Sequence, residues 1–403
     1  MAYQINNNPD SSIKWGNTPI PMELESFDWE IFGDYYWILT IINETISFSG
    51  VYGQITEKII RPNPEGKIAI NFSPILSGFL KSIPPNFEDD LWIERSSESF
   101  ANVSFTVQEV RDGVAGSPYT GNFVAVRGVK NANQDFNFGV IDYQIGGLSF
   151  FITDQPREKR VFEGQPEFLR CILQGGVPYL QTMSEVTYTD GTTANFSSPV
   201  QLLGIVGIVV SLNAGYNLLP NMINTVSGVA DALSKPVQSW DIWAQNHLSE
   251  PVTERFTYIL EDCAHSPYLR YMLWENQQGG WDTKAVMGEM NMTEETSKRS
   301  VNSIIDPNDF GTARSQITYG SQTNQIMEFN TGWMLDEELA WVKGLLRSNN
   351  IYLCSDDHHP NDDPKGAHTP ILITGSSTQL HRDDQFLRSF TFTATKAISQ
   401  PGI

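Results

Sequence analysis

SEVTYTDGTTANFSS, Ser184 to Ser198, decides the fold. Val186 and Tyr188 stand two apart before Asp190-Gly191, Ala194 and Phe196 stand two apart after it, and polar residues fill the gaps. A period of two sends successive side chains to opposite faces of a strand. An Asp-Gly pair between two such runs favours a tight hairpin. The stretch therefore reads as an antiparallel hairpin with one face buried.

The same pattern recurs on both sides. Downstream lies IVVSLNAG (Ile208 to Gly215); upstream lie FLRCILQ (Phe168 to Gln174), LSFFIT (Leu148 to Thr153), FGVIDYQI (Phe138 to Ile145), NFVAVRGV (Asn122 to Val129) and SFTVQEV (Ser104 to Val110). RDGVAGSPYTG, Arg111 to Gly121, carries the Gly and Pro of a long hairpin loop. Nearer the N-terminus, YYWILTIIN (from Tyr35), SFSGVYGQI (from Ser47) and KIAINFSPIL (from Lys67) are short aromatic and β-branched runs of a first β domain that closes near Pro84 and Pro85.

Helical signals are few. In LDEELAWVKGLLRSNN, Leu335, Leu339, Val342, Leu345 and Leu346 recur on one face, acidic residues occupy the first turn, and Lys343 and Arg347 lie towards the end. NLLPNMINTVSGVADALS, Asn217 to Ser234, is a second, weaker helix candidate, interrupted by Pro220 and Gly228. The expected fold class is mainly β, with several antiparallel β-sandwich-like modules and one short C-terminal helix. The expected division is an extended N-terminal arm over 1–20, β domains over 21–100, 101–200 and 201–330, the last with an aromatic-rich hairpin, and a C-terminal helix with a closing β element over 331–403. The arm, polar and holding Pro9 and Pro19, is expected to order only against something else.

A formal charge of −21 repels a phosphate backbone, which disfavours sequence-specific nucleic-acid binding. Cys171, Cys263 and Cys354 are far apart, form no CxxC and cannot all pair within one chain. MAYQINNNPDSSIKWG lacks the basic and apolar regions of a secretory signal, so the expected starting compartment is a cytoplasm. LLGIVGIVVSL, Leu202 to Leu212, is too short for a membrane-spanning helix, which needs about 20 residues, and reads as one or two buried strands. Membrane insertion is not expected.

CSDDHHPNDDPKGAH, Cys354 to His368, holds three of the six histidines. His358, His359 and His368 with Asp356 or Asp357 could supply imidazole and carboxylate to a metal ion. Adjacent His358 and His359 point to opposite sides of an extended segment, however, and no HExxH, facial-triad or EF-hand spacing accompanies them. The loop reads as a solvated connection between two strands, and no metal is assigned. Glu88, Asp89 and Asp90 define no catalytic pair without a fold to set their separation. Cys263 with His265 lacks an orienting third group. There is no GxSxG elbow, no Walker loop and no dinucleotide fingerprint. No catalytic residue, cofactor-binding residue or cofactor is assigned. Trp240, Trp243, Trp274 and Trp281 form a cluster that could stack on sugars, but in a β-sandwich they read first as core, as does Trp341.

Thr253 to Glu289, TERFTYILEDCAHSPYLRYMLWENQQGGWDTKAVMGE, runs from a strand into an acidic turn, an aromatic-rich strand, Asn276, Gly279-Gly280, Trp281 and Asp282-Thr283. TGWMLDEELAWVKGLLRSNNIYLC, PILITGSST and RDDQFLRSFTFTATKA follow. From Thr253 to Ala397 this resembles structural proteins of tailed phages and prophages of Bacteroidetes-type hosts, crAss-like phages included; the N-terminal FSGVYGQI and GKIAINFSPILSGFL are similar more loosely. The resemblance implies a non-enzymatic tail, neck or baseplate subunit in the virion, made in the host cytoplasm and partnered by copies of itself in a ring and by other tail or neck proteins. Asn276, Gly279 and Gly280 would then be turn and packing residues, with the glycines free to take positive φ. The alternatives are a carbohydrate-binding or adhesion protein using the tryptophans and a metal-dependent hydrolase at the Asp356 to His368 loop.

Overall fold

The computed structural model describes residues 3–6, 13–17, 20–26, 30, 34–47, 50–85, 92–96, 98–128, 144–145, 148–173, 179–202, 208–261, 269–302, 316–332, 334–354, 368–378 and 387–397. The chain is mainly β, built of several antiparallel sheets with few helices. It divides into two compact units assembled from non-contiguous segments: Met1–Arg160 with Pro166–Leu260 and Glu275–Asp282, and Val161–Gln165 with Glu261–Trp274 and Thr283–Ile403.

In the first unit, a three-stranded sheet (Tyr3–Asn6, Pro21–Ser26, Lys67–Asn71) faces a six-stranded one built around Tyr35–Ser47, Phe100–Arg111 and Tyr119–Val126. Alternation does the sorting. Met22 and Leu24 from the first sheet meet Trp37, Leu39, Ile41, Val103, Phe105 and Val107 from the second, all buried in one core closed by Phe72 and Leu76. A seven-stranded sheet contains the opening hairpin: Tyr179–Tyr188 pairs with Thr193–Ser197, and Gly191 takes φ +80° while Asp190 Oδ1 accepts the Thr192 N–H. Phe168–Leu173 and Ile208–Asn213 pair in a three-stranded sheet with Ile93–Arg95; Ile208–Asn213 carries the strand expected in LLGIVGIVVSL.

The second unit holds another seven-stranded sheet, ordered Trp281–Val286, Arg270–Glu275, Ile351–Cys354, His368–Thr378, Phe390–Lys396, Gln316–Asn330, Met290–Asn302. Helix Asp336–Arg347 covers its core through Leu339, Trp341, Val342 and Leu345. Glu338 accepts the Leu335 N–H at 3.2 Å, satisfying one helix-start amide, and holds Lys284 at 2.6 Å. Among the described residues, no helix is long and apolar enough to cross a membrane.

Three expectations need correction. Asn217–Ser234 is no helix: a 3-10 turn spans Tyr216–Asn221 and gives way to strand Ile223–Asn224. Pro220 has no N–H to continue a helix, and Asn224 Oδ1 takes the amides of Val226 and Ser227 into a turn instead. KIAINFSPIL stops being a strand at Asn71, and Ser73–Leu76 is a short helix that Pro74 starts. The N-terminal arm finds partners within its own chain, because Tyr3–Asn6 pairs antiparallel with Pro21–Ser26 and Ile13–Trp15 runs parallel beside Tyr119–Val126. Strand pairing runs across residues 100, 200 and 330: Tyr35–Ser47 joins Phe100–Arg111, Gln201–Leu202 joins Tyr179–Tyr188, and Gln316–Asn330 joins Phe390–Lys396.

Candidate functional site

Asn276, Gly279, Gly280 and Asp282 form a buried turn in the first unit. Asn276 organises it: its side-chain oxygen accepts the amides of Gln278 (3.0 Å) and Gly280 (2.9 Å), and its Nδ2 donates to the Ile152 carbonyl at 3.1 Å. Gly279 takes φ +84°, and a Cβ there would stand 2.3 Å from the Arg127 carbonyl oxygen. A Cβ on Gly280 would stand 1.8 Å from the Ile152 carbonyl oxygen. Both glycines are thus required by backbone approach as well as by turn conformation. Unlike most hairpin tips, this one is largely inside: Asn276, Gln278, Trp281 and Asp282 are buried, and Gln277 is exposed.

Charged side chains hold the turn. Glu275 receives a two-pronged guanidinium from Arg127 (2.5 and 3.0 Å), whose remaining nitrogen donates to the Leu80 carbonyl at 2.8 Å. Arg170 donates to the Gly279 carbonyl and to Ser96 Oγ (2.5 and 2.7 Å); burial lowers its pKa to about 10, against the opposing pull of Glu275, so it stays charged at neutral pH. Asp282 Oδ1 accepts from Thr153 Oγ1 at 2.6 Å and from Asn276 at 3.3 Å. Burial raises the Asp282 pKa to about 6, more than its hydrogen bonds lower it.

A second buried ion pair lies in the same unit. Lys159 Nζ donates to both oxygens of Glu167 (2.6 and 2.7 Å) and to Gln155 Oε1 (2.7 Å), with only 2% and 1% of the two charged side chains exposed. Tyr258 belongs to this environment; burial, then the nearby Glu167 charge, pushes its phenol well above the usual range. Tyr258 stacks on Trp240 with ring centroids 5.5 Å apart, and Trp240 Nε1 donates to the Ala214 carbonyl. Lys159, Glu167 and Trp240 spend their polar groups on other groups of the chain, whereas Tyr258 Oη and Gln155 Nε2 are buried without a hydrogen-bond partner among the described residues. The arrangement is chemically a lock: it fixes one backbone geometry and offers charge only inward.

The other candidate residues are placed as follows. Trp240, Trp243, Trp274 and Trp281 are 1%, 7%, 0% and 1% exposed, so they are core side chains, and Trp274 packs on the likewise buried Trp341 at 5.4 Å. Cys354 and His368 face each other in register at the ends of paired strands, so the loop between them does connect two strands. Burial pushes the Cys354 thiol up to about 12, away from nucleophilic or ligating use at neutral pH. Asp356, Asp357, His358 and His359 lie outside the described residues, as do Cys263, His265 and Glu88 to Asp90. Among the described residues, no three His, Cys, Asp or Glu side chains cluster as metal ligands.

Sequence reading missed Arg127, Thr153, Lys159, Glu167 and Arg170. Two of them left a signal: Lys159 stands two before the buried Val161 on one strand face, and Arg170 sits inside the apolar run FLRCIL, whose residues are all buried. A charge in such a phase needs a partner inside the fold. The chain matches no protein-family model and no curated protein.

Proposed function

We propose that the chain is a non-enzymatic structural subunit of a tailed-phage virion, placed in the tail, neck or baseplate and assembling with copies of itself into a ring. The supporting observation is the use to which these residues of the resemblance are put: Asn276, Gly279, Gly280 and Asp282 form an internal lock, in keeping with the turn and packing roles that the resemblance implies. Burial of Trp240, Trp243, Trp274 and Trp281 leaves the carbohydrate reading without the side chains it called on.

Native mass spectrometry of the purified chain, with proteomics of phage particles that encode it, tests this reading. Closed oligomers and a fixed copy number per particle are expected. A chain that stays monomeric at high concentration and is missing from particles contradicts it.

A further inference from the structure

Gln155, Lys159 and Glu167 meet in the interior of the first unit, 6%, 2% and 1% exposed. Lys159 lies on strand Glu158–Phe162, Glu167 directly precedes strand Phe168–Leu173, and Thr153 Oγ1 accepts the Gln155 N–H at 3.1 Å, so backbone structure sets all three. Lys159 Nζ stands 2.7 Å from the Gln155 amide oxygen and 2.6 and 2.7 Å from the two Glu167 oxygens. An amine, an acyl carbon bearing a nitrogen leaving group, and a carboxylate against the amine are the parts that an amide exchange needs.

The amide carbon of Gln155 lies one carbonyl bond, about 1.2 Å, from its oxygen, which keeps Lys159 Nζ within about 4 Å of that carbon. A reactive approach needs about 3–3.5 Å. Turning the Gln155 amide closes the difference, and its terminal torsion is broad. Nothing among the described residues holds the amide from its nitrogen side, since Nε2 is buried without a hydrogen-bond partner. Burial also supplies the drive. A buried ammonium and carboxylate carry a desolvation cost that neutral products escape, and an interior site keeps water from competing as the nucleophile.

We propose that Lys159 and Gln155 join in an isopeptide bond, with Glu167 as the proton carrier. Glu167 takes one proton from the ammonium, and the freed lone pair of Nζ attacks Gln155 Cδ to form the new C–N bond. Glu167 then relays a second Nζ proton to Nε2, the Cδ–Nε2 bond breaks, and ammonia leaves. An ammonium, a carboxylate and a primary amide thus become a secondary amide, a carboxylic acid and ammonia, and no oxidant or co-reactant is consumed. The reaction happens once per chain, so it is a self-modification and not turnover. It staples the segment that leads into strand Glu158–Phe162, and it stands independently of the ring reading.

The test uses the full chain, purified folded and then denatured for intact-mass and tryptic-peptide spectrometry. A mass lighter than the sequence by one ammonia is expected. Trypsin cuts after Arg157, so a branched species should join the peptide that ends there to Glu158–Arg160, with Lys159 uncut. Gln155→Met, which removes the acyl group, and Glu167→Gln, which removes the proton carrier, should both return to the full sequence mass. Wild type at full mass overturns the proposal by itself, whether or not either variant folds. So does an ammonia lost elsewhere in the chain, or a loss of water in its place, which would join Lys159 to Glu167. A Glu167→Gln chain that still forms the branch overturns the proton-carrier role.

Discussion

Two hairpins of this chain have opposite relations to water. The turn at Asn276–Gly280 is buried apart from Gln277, its backbone at Gly279 and Gly280 approaches neighbouring carbonyls too closely for any Cβ, and charged side chains from distant parts of the chain close on it. The long ribbon of Met290–Asn302 and Gln316–Asn330 exposes every side chain from Asn291 to Val301, and past Thr293 its outer strand pairs only with its inner one among the described residues. Both are antiparallel hairpins; what separates them is where their polar groups find partners. The first has them inside the chain and is rigid. The second keeps its outer strand, from Asn291 to Val301, exposed to solvent.

Substitutions sharpen that contrast. The largest effect is expected at Lys159→Met, which strands the Glu167 carboxylate in the interior and should cost about 3–5 kcal/mol in chemical denaturation; adding Glu167→Leu should recover most of it, since a buried pair replaced by apolar residues is often neutral. If the single variant were as stable as wild type, the ion pair would not be part of the lock. Next comes Gly280→Ala, whose new methyl meets the Ile152 carbonyl, with an expected loss of about 3 kcal/mol. A loss below about 0.5 kcal/mol, the scale of an ordinary surface change, would mean the turn is loose.

A pH profile makes a subtler comparison. Asp282 has a folded pKa of about 6 against an ordinary 3.8, so between those values the folded state keeps a proton that the unfolded chain releases. Its contribution is therefore most favourable below about pH 4 and is lost as pH rises through about 6. Asp282→Asn cannot ionise, yet its Oδ1 still accepts from Thr153. The variant should gain melting temperature relative to wild type as pH goes from 4 to 7, and a flat difference would contradict the burial argument. The smallest effect is expected on the ribbon: Glu295→Ala, at an exposed position, should change subunit stability by no more than about 0.5 kcal/mol.

The strands were legible because a period of two needs only local information. Val186, Tyr188 and Phe196 are buried where their spacing puts them, and the helix from Asp336 shows its stripe in Leu339, Val342 and Leu345. Asn276 and Gly279-Gly280 were legible as a turn for the same reason. That the turn is internal was not, since its partners Arg127, Ile152 and Arg170 lie more than a hundred residues away in sequence. The N-terminal arm failed for a related cause: polar residues suit strand pairing as well as solvent, and backbone hydrogen bonds leave no trace in composition. The ribbon's exposure was equally hidden, because nothing local to Met290–Asn302 says where the sheet beside it ends.

Hydrogen exchange on the folded chain tests the contrast most directly. Amides of Gln278 and Gly280 should exchange slowly, whereas those of Glu294 to Val301 should exchange quickly. A ribbon as protected as the turn, or a turn that exchanges as fast as the ribbon, would contradict the account.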